Sequence, residues 1–278
     1  MIFGGFRIED LFSRLRNKNK PGDYYLTLCC IVKDENEYLK EWIEYHIKIG
    51  VQHFYIYDNE SKIPVTDTLK KLDLLKFATV IKVYGKAKQV VAYNDCLARQ
   101  RKSSQWIGFI DVDEFIVPKS TNGDLQIFLR DFEQFGGVGI NWLVFGSSGH
   151  LKRTGRPQLE SFINRSELSF PVNRHVKVIV QTRYVKRSIG AHLFSFKKPY
   201  FAVNENGNKI TTSYSDISVD KIQINHYYCR SLEEYQDKVN RGLADTSRGK
   251  REIEHFHNHD SEANRVEDRT ILGIFEKE

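Results

Sequence analysis

Along the first 120 residues, apolar runs suited to strands alternate with stretches whose apolar positions recur at helical spacing. Tyr24 to Val32 is almost continuously apolar and predicts a buried strand. Glu35 to Ile49 places Leu39, Trp42, Ile43, His46 and Ile47 on one helical face, and Gly50 supplies the stop. Val51 to Tyr57 predicts a second strand, closed by the turn cluster Asp58, Asn59, Glu60 and Ser61. A helical stretch around Leu69 to Leu75 leads to a third strand, Thr79 to Tyr84. Gln89 to Arg101 predicts a second long helix and Trp106 to Ile110 a fourth strand. This alternation predicts an α/β domain with a mainly parallel central sheet.

In open α/β sheets a ligand binds beyond the carboxyl ends of the strands, where loops run into helices. The polar clusters fall at those ends: Lys33, Asp34 and Glu35 follow the first strand, Asp58 and Asn59 the second, and Asp111, Asp113 and Glu114 the fourth. Three acidic clusters are therefore expected on one edge. Asp111-Val112-Asp113 has the form of a metal and nucleotide-diphosphate site, because carboxylates spaced by two point the same way on extended backbone. Mg²⁺ or Mn²⁺ takes such hard oxygens together with phosphate oxygens and water. The competing reading is a pair of solvated turn carboxylates.

Composition excludes classes rather than naming one. With 40% apolar and 13% aromatic residues the 278-residue chain is too apolar for disorder, and 6 Pro with 18 Gly exclude a collagen-like or linker-rich chain. The net charge of +6 is local. Residues 1–22 hold Arg7, Arg14, Arg16, Lys18 and Lys20, while residues 164–201 hold Arg165, Arg174, Lys177, Arg183, Lys186, Arg187, Lys197 and Lys198 against Glu167 alone. The rest is net acidic, so anionic partners are expected at two places. Phe3, Phe6, Leu11, Phe12 and Leu15 among the first cations suit either a short interfacial helix on anionic lipid or an ordinary terminal helix. No apolar run approaches the roughly 20 residues that cross a bilayer, and no signal-peptide pattern is seen. Cys29 and Cys30 are adjacent, Cys96 and Cys229 isolated, and none has a metal-binding spacing, which predicts free thiols in a reducing compartment. The expected setting is cytoplasmic, with peripheral contact to the inner face of the plasma membrane.

Four segments carry a resemblance: CCIVKDENEYLKEWIEYHIKIGVQHFYIYDNES from Cys29, WIGFIDVDEFIVP from Trp106, INWLVFGSSGH from Ile140, and INHYYCRSLEEYQDKVNRG from Ile224. In this order and spacing they resemble glycosyltransferase family 92 and its bacterial relatives within the family 2-like group, from about Tyr24 to about residue 270. The resemblance implies a GT-A, Rossmann-like fold, a UDP-sugar donor, Mn²⁺ or Mg²⁺, and inversion at the anomeric carbon. It places Val32 and Glu35 near the nucleoside and Asp58 at the uracil edge, whose imide N–H a carboxylate accepts. It places Asp111 by the ribose and metal, Asp113 on the metal, and His226 as the downstream ligand that closes the metal sphere. His255, His257 and His259 are the rival set, three imidazoles that share one side if their segment is extended. Gln89, Tyr93 and Asn94 are candidate contacts to ribose or sugar, with Tyr93 alternatively packing a helix on the sheet.

The glycine-rich segment Asn141 to His150 offers Trp142 or Phe145 to stack on an acceptor or donor sugar, and Gly146, Ser147, Gly149 and His150 beside it. A structural turn is the plainer reading. Inversion needs a general base for the acceptor hydroxyl; Glu160 is the candidate, with Asp260, Glu262 and Glu114 as alternatives. Arg174, Lys177 and Arg183 suit the donor diphosphate or the phosphates of a lipid-linked acceptor, while the alternation around Lys177 also reads as a half-exposed strand.

The expected organisation is a basic amphipathic segment over 1–22, a GT-A catalytic domain over 23–230 and a helical extension over 231–278. The expected activity is metal-dependent, inverting transfer of a hexose, galactose being the named candidate, from a UDP-sugar to a saccharide or lipid-linked saccharide in cell-surface polysaccharide synthesis. Two other classes compete: a nucleic-acid binder using the basic stretch, disfavoured because no recognition module interleaves with it, and a catalytically silent glycosyltransferase-like binding module.

Overall fold

The computed structural model describes residues 24–242 and 251–274. The amphipathic segment over 1–22 lies outside the described residues. The strands are β1 (Tyr24–Val32), β2 (His53–Asp58), β3 (Ala78–Lys82), β4 (Ser104–Phe109), β5 (Glu114–Pro118), β6 (Gly137–Val144), β7 (Asn164–Arg165), β8 (Val176–Gln181), β9 (Val185–Ser188), β10 (Phe194–Phe196), β11 (Ala202–Val203), β12 (Lys209–Ile210), β13 (Ile222–His226) and β14 (Val266–Glu267). The helices are α1 (Leu39–Lys48), α2 (Val65–Lys71), α3 (Gln89–Gln100), α4 (Leu125–Arg130), α5 (Gln158–Ser161), α6 (Leu232–Arg241), α7 (Ile253–Ala263) and α8 (Thr270–Gly273).

Strands β3, β2, β1 and β4 are neighbours in that order and all parallel. β8 joins β4 to β6 by antiparallel pairing on both sides, and β11 and β13 run parallel to β6. The expected α/β fold with a mainly parallel sheet is what the chain forms. β1 shows why both faces are covered: Leu28, Cys30 and Val32 join the core beneath α1, with Leu39, Trp42 and Ile43, whereas Cys29 and Ile31 join the core beneath α3, with Ala92, Tyr93, Cys96 and Leu97. A strand alternates its side chains, so an unbroken apolar run needs a helix on each side. Gly108 in β4 is required by this packing, since a Cβ there would lie 2.6 Å from Leu28 Cδ2.

β8 corrects one expectation. All of Val176–Gln181 is buried, Lys177 included, so the strand is not half-exposed. The four cysteines are buried and unpaired, as expected. No helix among the described residues is long and apolar enough to cross a membrane.

Candidate active site

Because β1 lies between β2 and β4, the helices that follow β1 and precede β4 pack on opposite faces, leaving a crevice at the carboxyl ends. A cavity of about 610 Å³ opens there. It is lined by Val32, Lys33 and Glu35 after β1, Asn59 and Glu60 after β2, Gln89 of α3, Asp111 and Asp113 after β4, Trp142, His175, His192 and His226, and Lys238, Arg241 and Arg251.

Each carboxylate of the Asp111/Asp113 pair meets a buried ammonium. Asp111 Oδ2 accepts from Lys177 Nζ at 2.8 Å, and its Oδ1 accepts from Gln89 Nε2 at 2.8 Å. Lys177 is only 1% exposed and also lies 3.6 Å from Glu114 Oε2. Burial pushes the Glu114 pKa well above the carboxylate range against the opposing charge of Lys177, and Asp111 makes the closer pair with the lysine. Asp113 Oδ2 accepts from Lys238 Nζ at 2.6 Å and lies 3.8 Å from His226 Nε2. Burial opposes the Asp113 charge, yet Lys238, His226 and Arg230 together hold its pKa well below the usual value.

Local structure explains why these groups meet. β13 pairs antiparallel with β5, which sets His226 opposite Glu114, and the Tyr227 N–H donates to Asp113 O at 2.8 Å. A capping box of Ser231 and Glu234 starts α6. One turn later Lys238 donates to the carbonyls of Tyr228 and Tyr227 at 2.8 and 3.3 Å as well as to Asp113, which occupies all three ammonium hydrogens. Arg241, on the same helix, pairs with Glu35, which Arg230 also approaches at 3.4 Å.

The donor types suit a divalent cation. Asp113 and His226 together supply an oxygen and a nitrogen 3.8 Å apart, and Mn²⁺ or Mg²⁺ completes such a pair with phosphate oxygens and water. Asp111 is turned to Lys177 and Gln89, and among the described residues no three His, Cys, Asp or Glu side chains form a ready cage. Asp113 and His226 would therefore hold the ion and Asp111 would stand beside it.

Several expected site residues lie elsewhere. Asp58 is buried, and its carboxylate accepts the N–H groups of Ser61 at 3.0 Å and Val65 at 3.1 Å, so it caps the turn after β2 instead of facing the cavity; Asn59 and Glu60 line it. Tyr93 packs on Phe109 at 4.7 Å and contacts Gln89 through its hydroxyl at 3.0 Å. Asn94 bonds the backbone of Ser188. Glu160 on α5 is 3.2 Å from Arg156 and does not line the cavity, because Glu41 holds the start of α5 through the N–H groups of Gln158 and Leu159. Its alternatives are also engaged: Asp260 accepts from Ser147, Glu262 faces Arg265, and Glu114 is sealed under Asp111.

The glycine-rich segment divides. Trp142 lines the cavity, whereas Ser147 is held by Asp260 through its N–H at 2.6 Å and hydroxyl at 2.9 Å, and His150 accepts the Leu232 N–H. A Cβ on Gly146 would lie 2.4 Å from Asn264 Oδ1 and 2.7 Å from Ala263 O, so this glycine admits the end of α7, not a sugar. Gly146→Ala is expected to cost about 1–3 kcal/mol by overpacking, read as a lower denaturation midpoint. His255, His257 and His259 fall on helix α7, where alternate positions diverge, and only His259 reaches the cavity. Of the three named cations, Lys177 lies under the acidic pair, while Arg174 pairs with Asp216 and Arg183 lies over Tyr184.

Lys238, Arg241, Arg251, His175 and His192 were not singled out from sequence. For Lys177 a signal existed: Val176, Val178, Ile179 and Val180 form a run too continuously apolar for a strand with one wet face.

Fold and site define a class, an α/β domain that gathers carboxylates, imidazoles and cations at the carboxyl edge of a mainly parallel sheet. The chain belongs to glycosyltransferase family 92, which matches residues 24–269, and the resemblance carried by the four segments holds. It is 30% identical over 225 residues to a glycosyltransferase family 92 protein of Oryza sativa subsp. japonica, covering 79% of this chain and 36% of that protein. It is 30% identical over 135 residues to a galactan beta-1,4-galactosyltransferase of Arabidopsis thaliana, covering 44% of this chain and 26% of that protein. The chain thus spans about a third or less of the length of these relatives. Among solved structures, S. aureus TarS gives a TM-score of 0.38 at 14% identity, over 57% of this chain and 47% of its own.

Proposed function

We propose that the chain transfers a hexose from a UDP-sugar to a saccharide acceptor, with inversion and with a divalent cation. The observation that carries this reading is the switch-point cleft, where Asp113 and His226 stand 3.8 Å apart beside Lys238, Arg241 and Arg251. A diphosphate with its counter-ion needs both kinds of group at once. Lys238, Arg241 and Arg251 would offset charge that grows on the departing diphosphate, and Gln89 and Glu35, which line the same cleft, would lie toward the nucleoside end. Asp113 and His226 would hold a cation that would supply Lewis-acid stabilisation of the same leaving group. The likeness to a galactan beta-1,4-galactosyltransferase favours galactose as the transferred sugar.

A panel of UDP-, GDP- and ADP-sugars, assayed with Mn²⁺ and with EDTA, tests the reading. The expected result is turnover of one UDP-hexose that EDTA abolishes, with a product anomer opposite to the donor's by NMR. UDP binding without turnover of any sugar, in the presence of saccharide acceptors, would instead identify a silent binding module.

A further inference from the structure

The cleft also has an uncharged wall. Trp142 is surrounded by imidazoles, its ring centroid 4.8 Å from His175, 5.1 Å from His192 and 4.2 Å from His226. All four side chains line the cavity. His175 Nδ1 lies 2.9 Å from Val172 O, and His192 Nδ1 lies 2.9 Å from Val176 O. A carbonyl only accepts, so in each ring the proton sits on Nδ1 and Nε2 keeps a lone pair. Among the described residues neither Nε2 has a hydrogen-bond partner. Burial favours the neutral form of both rings, lowering the His175 pKa and taking that of His192 to about 3, with Lys177 adding to the effect. The indole Nε1 of Trp142 is also buried without a partner.

We propose that His175 and His192, backed by the buried Trp142, form the subsite for the transferred sugar, an uncharged hexopyranose that donates hydroxyl hydrogens to the two Nε2 atoms. This rests on the nucleotide-sugar reading above. His226 links the two halves of the cleft, touching Trp142 on one side and lying 3.8 Å from Asp113 on the other. The sugar of a nucleotide sugar follows its second phosphate, so a ring leaving the diphosphate end arrives at this wall. The same chemistry sets a preference. A carboxylate only accepts hydrogen bonds, and two acceptor nitrogens give it nothing to accept, so a hexose is favoured over the corresponding hexuronate.

The test is calorimetric titration of UDP, UDP-galactose and UDP-galacturonate, with Mn²⁺, into the unaltered protein and into His192→Leu and His192→Gln, each checked for its fold by circular dichroism. His192→Leu is expected to leave UDP affinity unchanged, weaken UDP-galactose by about 3- to 10-fold, the worth of one neutral hydrogen bond, and narrow the preference over UDP-galacturonate. His192→Gln, which keeps an acceptor oxygen, is expected to retain most of the affinity. A second readout needs no variant: Trp42 and Trp106 are fully buried in the core, so UDP-galactose should change tryptophan fluorescence beyond the change given by UDP. Equal losses for UDP and UDP-galactose, no loss for either, or identical fluorescence changes would overturn the subsite alone. Failure of the unaltered protein to bind UDP and every UDP-sugar would overturn the nucleotide-sugar reading and this subsite with it.

Discussion

Asp113→Asn is expected to lower the rate of sugar transfer by about 10²- to 10³-fold, because it loosens the hold on a cation that would stabilise charge on the leaving diphosphate, while the fold persists. Asparagine keeps the size of aspartate and an oxygen for Lys238, whose other two hydrogens already reach the carbonyls of Tyr228 and Tyr227. What disappears is the negative charge, which Lys238, His226 and Arg230 now stabilise. A cation held by Asp113 and His226 would lose its carboxylate ligand, so the variant should also need far more Mn²⁺ to reach half its maximal rate. Asp58→Asn makes the contrasting control, since that carboxylate caps the amides of Ser61 and Val65. It keeps one acceptor oxygen and loses the other, so it should cost about 1 kcal/mol of stability, the worth of one hydrogen bond, and change the Mn²⁺ requirement little. Steady-state kinetics across a Mn²⁺ titration separates the two variants. An Asp113→Asn enzyme with unaltered turnover and Mn²⁺ response would remove this aspartate from the site.

The contrast between these two aspartates shows what local pattern conveys. The elements up to β4 were legible because their signals are local: β1 matches the apolar run Tyr24 to Val32, and the turn clusters fall at strand ends where the cleft forms. Asp58 and Asp111 then look alike, both acidic residues closing a strand. Which one faces the cleft depends on whether nearby backbone amides claim its carboxylate, and the tight turn from Ser61 into α2 claims Asp58. Glu160 failed for a related reason: α5 is anchored by Glu41 from the distant helix α1, a contact invisible along the chain. His226 was placed through the family's motif order, since only the β13–β5 register brings it to Asp113. Gly146 misled because glycine signals close approach without naming the approaching group, here Asn264 and Ala263.

Lys177→Met is expected to produce a large loss of stability, about 3 kcal/mol, toward the lower end of the 3–5 kcal/mol that follows from breaking a buried ion pair. Methionine fills much the same volume, so the cost is electrostatic and not a cavity. Two features set the lower figure. The Asp111 side chain is 34% exposed, so water takes over part of the lysine's role, and Gln89 Nε2 still donates to it. The remaining cost is the Asp111 carboxylate, partly shielded from water, with its main counter-charge gone. Adding Asp111→Asn removes that stranded charge, so the double variant should be more stable than Lys177→Met alone, although each single change is destabilising. Urea midpoints for the four proteins of this cycle give the coupling directly. Additive losses would mean that Lys177 acts through packing, and the acidic pair would then no longer depend on a buried ammonium for its charge.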